Sequence, residues 1–261
     1  MECWAAELGG CSSKASREHL VTDGLWSGTD VSLEVVGLPW CRTTPVRVGR
    51  ANIVSKILCR THNSALSDVD TEAINAFQSL QRAAALQERR RNGFFPPVVP
   101  QCFGINGDRL ERWFIKTAVN LALVQQGDVR WCGGSPGRIP PKSLVDAAFG
   151  GRPLANGAGL YAAASVGEAG VANESVHFAP LFDASDELPG AIFSFCGFRF
   201  LLSLREGPLP RRISIGADES SPWYATDLVH HLERIRFTIA DSISHWIYFD
   251  WVGKLSAHFG E

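Results

Sequence analysis

The chain has 261 residues, an apolar share of 45% and a charged share of 20%, a composition able to bury a core, and its length fits one or two domains. A formal net charge of −2 excludes a whole-molecule field for polyanions, so any nucleic-acid site has to be local. No apolar run approaches the roughly 18 residues of a membrane helix.

The opening "MECWAAELGGC" lacks the basic and apolar regions of a secretory signal. Seven cysteines in a chain of this size point to reduced thiols, a cytoplasmic setting and thiols reserved for metal. Cys3 and Cys11 lie in that opening; Cys59 and His62 stand in "ILCRTHNSALSD", with Asn63 directly after. Together they form a Cys3His set, thiolates plus an imidazole, suited to a closed tetrahedral zinc site. The first pair is spaced more widely than the usual two to four or so residues. Its alternative reading is incidental small residues in a turn, and Cys41 in "PWCRTTP" is the substitute ligand if one of the four fails.

Further on, "DTEAINAFQSLQRAAALQERRR" places Ile74, Phe77, Leu80 and Ala84 at helical spacing, with Asp70 as N-cap, and Arg89, Arg90 and Arg91 read equally as a complement to the negative end of the dipole or as a nucleic-acid contact. The prolines of "NGFFPPVVP", Asn92 to Pro100, forbid helix and set a boundary between residues 1–93 and 94–261. The second unit is expected to fold by itself. It opens with "GDRLERWFIKTAVNLALVQQG", in which Asp108 and Glu111 have capping-box spacing and Leu110, Trp113, Phe114, Ala118 and Leu121 form one apolar stripe. After a loop-rich stretch with a short helix following Pro141, the segments "SVHFAPLF", "AIFSFCGFRFLLSL", "RRISI", "ERIRFTI" and "HWIYFDW" read as strands of an antiparallel sheet. The fold class is α+β.

Other chemistry fails on inspection. "GGSPG" has the spacing of a serine-hydrolase elbow, but Pro136 has no N–H for an oxyanion. "GAGLYA" reads as a loop. His230 and His231 alternate across any strand and so cannot share a ligand from it.

Between the two cysteine-bearing segments lies "SREHLVT", with His19 after Glu18. A zinc knuckle, an acidic-His pair leaving a strand, and a second knuckle followed by Asn resembles the HNH endonucleases of the His-Me finger class. The resemblance spans about the first ninety residues. It implies a zinc-stabilised ββα-metal domain holding one catalytic Mg²⁺ or Mn²⁺. It places His19 on the general base, Glu18 on the acidic metal ligand, Asn63 on the last catalytic and metal-binding position, and His62 on a knuckle cysteine. Asn52 is the candidate for the middle Asn. A neutral imidazole can deprotonate water near pH 7, and carboxylate and amide oxygens suit a hard cation.

From Val35 to Ser67 there is no Asp or Glu, while Arg42, Arg47, Arg50, Lys56 and Arg60 fall there, a local basic surface for a polyanion. The implied function is metal-dependent cleavage of nucleic acid, DNA before RNA, in a restriction or anti-phage system, with residues 94–261 recognising a target, signal or protein partner. The rival is a non-catalytic zinc module binding nucleic acid or protein, which would keep Cys3, Cys11, Cys59 and His62 without needing Glu18, His19 and Asn63.

Overall fold

The computed structural model describes residues 3–26, 33–91, 100–163, 176–215, 223–238 and 244–251. The proline segment expected to divide the chain lies outside the described residues. The protein is mixed α+β, and its helices and sheets share one continuous core.

The N-terminal part is built on short strands. β1 (Glu18–His19) pairs antiparallel with β4 (Val54–Ser55), and a separate hairpin of β2 (Leu33–Val35) and β3 (Val46–Val48) lies between them in sequence. α1 (Arg60–Ala65) follows β4, and Cys59 is its N-cap, its Sγ accepting the His62 N–H. α2 (Ser67–Arg91) therefore begins earlier than the Asp70 cap expected from sequence. Asp68 and Asp70 sit in its first turn, where the helix dipole favours them. Ala73, Ala76, Phe77, Leu80, Ala83 and Ala84 carry its buried face.

β5 (Cys102–Asn106) leads directly into α3 (Gly107–Gln126), the central element. Its cap is Asn106, whose Oδ1 accepts the Arg109 N–H, rather than Asp108. Trp113 of α3 meets Phe77 of α2 edge-on at 5.2 Å, and Phe114 meets Phe193 of the large sheet at 4.3 Å. Next come β6 (Arg130–Trp131), α4 (Lys142–Ala148), β7 (Gly159–Ala163), β8 (His177–Leu181), β9 (Glu187–Leu188), β10 (Gly190–Phe195), β11 (Phe198–Ser203), β12 (Arg212–Ile215), β13 (Trp223–His230), β14 (Arg234–Thr238) and β15 (Ser244–Asp250).

A six-stranded antiparallel sheet runs β12-β13-β7-β11-β10-β8. Phe193 and Phe200 turn to α3, while Ile192 and Leu201 pack with Tyr161, Trp223 and Leu228 in a second cluster. "GAGLYA", expected as a loop, enters the centre of this sheet as β7. A three-stranded sheet runs β14-β15-β5, and β5 lies parallel to β15, against the expectation of purely antiparallel pairing. None of the described helices is long and apolar enough to cross a membrane.

Candidate metal centre and its surroundings

The first residues lace along the segment that enters α1. Trp4 N–H bonds to Ile57 O, Ser16 N–H to Leu58 O and Arg60 N–H to Lys14 O, each at 3.0 Å. This brings Cys3 and Cys11 to the N-terminus of α1, where Cys59 and His62 lie one helical turn apart. The Sγ atoms of Cys3, Cys11 and Cys59 stand 3.4, 3.5 and 3.3 Å from His62 Nδ1, and all four ligand atoms lie within 4.8 Å of one another.

Hydrogen bonding does not explain this convergence, because one imidazole nitrogen offers a single donor or acceptor site. Zinc bonded at about 2.3 Å to sulfur and about 2.05 Å to nitrogen would separate those atoms by about 3.6 Å along a tetrahedral edge. The donor set therefore fits a zinc ion. Cys3, Cys59 and His62 are buried and Cys11 is exposed. All four predicted ligands meet, and Cys41 is buried elsewhere, in the turn where its N–H bonds to Leu38 O.

The thiols differ. Burial pushes Cys3 up to about 12 despite the N–H groups of Cys59 and Ala5. Burial also raises Cys11. At Cys59 burial opposes ionisation, yet the N–H groups of His62 and Ser12 bring the thiol down to about 6. A metal cation ionises thiols of this kind when they coordinate it. The His62 ring edge rests on Phe149, just past α4, at 5.6 Å. The distal half of the chain thus supports the centre.

β1 starts close to this site. His19 is half-buried, and its Nδ1 is a buried atom with no hydrogen-bond partner among the described residues. Asn63 donates from Nδ2 to Ser16 Oγ at 2.7 Å, which anchors the side chain and leaves the amide oxygen available. Glu18 points the other way, as strand alternation requires. It is 2% exposed, and its Oε1 is 2.6 Å from Lys116 Nζ and accepts from Asn120 Nδ2.

Lys116 also binds both oxygens of Asp70 at 2.7 and 2.8 Å. Burial raises the Glu18 carboxyl, with Lys116 opposing and Asp70 reinforcing. Glu18, expected as a magnesium ligand, is thus held by Lys116 inside the core. A magnesium site wants one or two carboxylates open to it. Glu18 and Asp70 are both committed to the ammonium, so the residues beside His19 do not fit a Mg²⁺ or Mn²⁺ cage in this arrangement.

Asn52 closes a 3-10 turn, is exposed, and hydrogen-bonds neither His19 nor Asn63 among the described residues. Arg42, Arg47, Lys56 and Arg60 are all exposed; the side chain of Arg50 lies outside the description. Trp40, which sequence reasoning passed over, is 49% exposed on the turn preceding Arg42.

Sequence reasoning also missed the partners on α3. Their signal was legible in the spacing. Lys116 and Asn120 fall on the same helical face as Trp113, so polar side chains at core positions needed partners. Trp4 Nε1 donates to Asn120 Oδ1, and Trp113 Nε1 donates to Thr22 Oγ1, which donates to Asp70.

His230 and His231 also depart from expectation. The strand ends at His230, and His231 takes φ 45, so the alternation breaks and the rings stack at 3.9 Å. His231 Nε2 meets the Glu111 carboxylate at 2.9 Å. Comparison with protein-family models, curated proteins and solved structures finds no match.

Proposed function

We propose that the protein is a zinc-stabilised endonuclease of the HNH type that hydrolyses phosphodiester bonds of nucleic acid, DNA before RNA, with His19 as general base. The observation that carries this reading is the buried Nδ1 of His19 on β1, which has no hydrogen-bond partner among the described residues. A buried imidazole nitrogen without a partner is costly and calls for a ligand or a reaction to explain it. Support comes from its setting: two short antiparallel strands, then a helix that begins at a Cys3His centre and carries Asn63.

In this reading zinc fixes the geometry and takes no part in the reaction. His19 removes the proton from the attacking water, and Asn63, anchored by Ser16, orients that water by accepting its other hydrogen at the amide oxygen. The exposed Arg42, Arg47, Lys56 and Arg60 supply the positive surface for the backbone. A divalent cation would supply charge neutralisation at the phosphate. No step is assigned to it, because Glu18 is committed to Lys116. A place in restriction or anti-phage defence extends this reading through the resemblance alone.

One observation favours the rival reading of a non-catalytic zinc module that binds nucleic acid: the same engagement of Glu18. A plasmid-cleavage assay with Mg²⁺ or Mn²⁺ separates the two. Wild type should nick or linearise the plasmid, and His19→Ala should lose about two to four orders of magnitude in rate while keeping its zinc and melting temperature. Wild type with no cleavage under any metal, or His19→Ala that cleaves normally, would sink the nuclease reading.

A further inference from the structure

The three-stranded sheet buries Ile105, His245, Ile247 and Phe249 on its inner face. On the outer face the strand registers align two cross-strand rows: Arg236, Trp246 and Cys102 in one, Arg234, Tyr248 and Gly104 in the next. Arg234, Arg236, Cys102 and Gly104 are exposed, and Trp246 and Tyr248 are half-buried. The two rings lie 6.0 Å apart and within 22° of parallel. Both guanidinium groups lie 5.5 Å from the Trp246 ring centroid. A Cβ on Gly104 would meet nothing within 4 Å among the described residues, so none of them covers the surface beside Tyr248. Asp250, exposed, follows Tyr248 on the same face of β15.

Packing the core does not require this arrangement, since it gathers two aromatic rings and two like charges on the side facing water. We propose that this face is a binding platform for single-stranded nucleic acid. Bases stack on Trp246 and Tyr248, and Arg234 and Arg236 hold the intervening phosphates. A guanidinium suits both tasks, because it stacks on ring faces and binds phosphate through a planar fork. Aromatic side chains on an open sheet face take successive unstacked bases without regard to sequence.

Stacking selects the strandedness. In a duplex each base lies between its neighbours and offers no face to a protein ring, whereas a single strand can unstack its bases onto Trp246 and Tyr248. The inference is independent of cleavage at His19 and assigns the distal sheet a role in binding.

The test is fluorescence anisotropy with a dye-labelled, mixed-sequence DNA single strand of about 12 nucleotides and with its duplex, in buffer without added divalent cation. The single strand should bind more tightly than the duplex. Trp246→Ala should weaken single-strand binding by roughly tenfold, with a smaller loss for Tyr248→Ala. Arg234→Gln and Arg236→Gln should each reduce the salt slope of binding by about one, and they keep the proposal falsifiable if Trp246→Ala fails to fold. Duplex binding as tight as single-strand binding would overturn the proposal. So would full affinity in a folded Trp246→Ala or in the Arg234→Gln/Arg236→Gln double variant, which would leave the arginines as a shield for the tryptophan. Platform-dependent binding in a protein that never cleaves plasmid would support this inference while removing the nuclease reading.

Discussion

At the scale of single residues, the metal centre and the buried ion cluster behave in different ways. A zinc ion held by Cys3, Cys11, Cys59 and His62 would join the N-terminal segment to α1, so its binding free energy would become folding free energy. Purified protein is expected to carry about one zinc per chain by elemental analysis. Cys59→Ser should lose the metal and lower the melting temperature, while Cys41→Ser should keep it. Folded protein with no zinc would refute the centre.

Lys116 faces two carboxylates with its side chain only 3% exposed. Lys116→Met removes the counter-charge and should cost about 3–5 kcal/mol in denaturant melts. The Glu18 carboxyl is raised by burial from 4.5 in the folded protein, so its stabilising contribution is complete below that value and is lost as pH climbs through the raised one. The stability of wild type relative to Glu18→Gln should therefore fall as pH rises above 4.5. A difference flat with pH would show that Lys116 cancels the effect of burial.

At the scale of elements, legibility followed the kind of signal each segment carried. Helical spacing in α2 and α3, and apolar runs in β8, β10, β11, β12, β14 and β15, were readable because local pattern fixes them. β5, β7 and β13 were missed. β7, "GLYAA", starts on a glycine and ends on two alanines, and β13, "WYATDLVH", mixes polar residues into a strand, so only their sheet neighbours reveal them. The cap of α2 was misplaced because α1 runs into it after a single residue, Leu66. The four metal ligands were legible because spacing and chemistry suffice to find them. The engagement of Glu18 was not, because Lys116 comes from an element about a hundred residues away, beyond any local pattern.

The β10–β11 hairpin gives a prediction at this scale. Its two-residue turn, Cys196-Gly197, has φ 49 and 82, the type I′ geometry that matches strand twist. Gly197→Ala should destabilise the protein by about 1–2 kcal/mol through left-handed strain. An unchanged melting midpoint would mean that the turn relaxes.

At the scale of the whole molecule, packing joins what the proline segment was expected to divide. Trp4, Leu20, Phe77, Trp113, Phe193 and Phe249 belong to one buried cluster. The polar contacts agree. Trp4 donates to Asn120, Glu18 and Asp70 hold Lys116, and Thr22 accepts from Trp113, so α3 is a partner to β1, α2 and the zinc-side segment alike. A fragment beginning near Val98 would strip Trp113 of Phe77 and Thr22. It would also leave Lys116 and Asn120, 2% and 0% exposed in the whole chain, without their partners. Losing such contacts removes apolar burial and strands a charge at once, costs of several kcal/mol against a total stability of about 5–15 kcal/mol. The fragment is therefore expected to aggregate or to melt without cooperativity, and residues 1–93 supplied in trans should restore a cooperative transition. Soluble fragment with a sharp thermal transition by circular dichroism would show that the distal sheets and α3 suffice for a core, and that the shared packing is a docking contact between two domains.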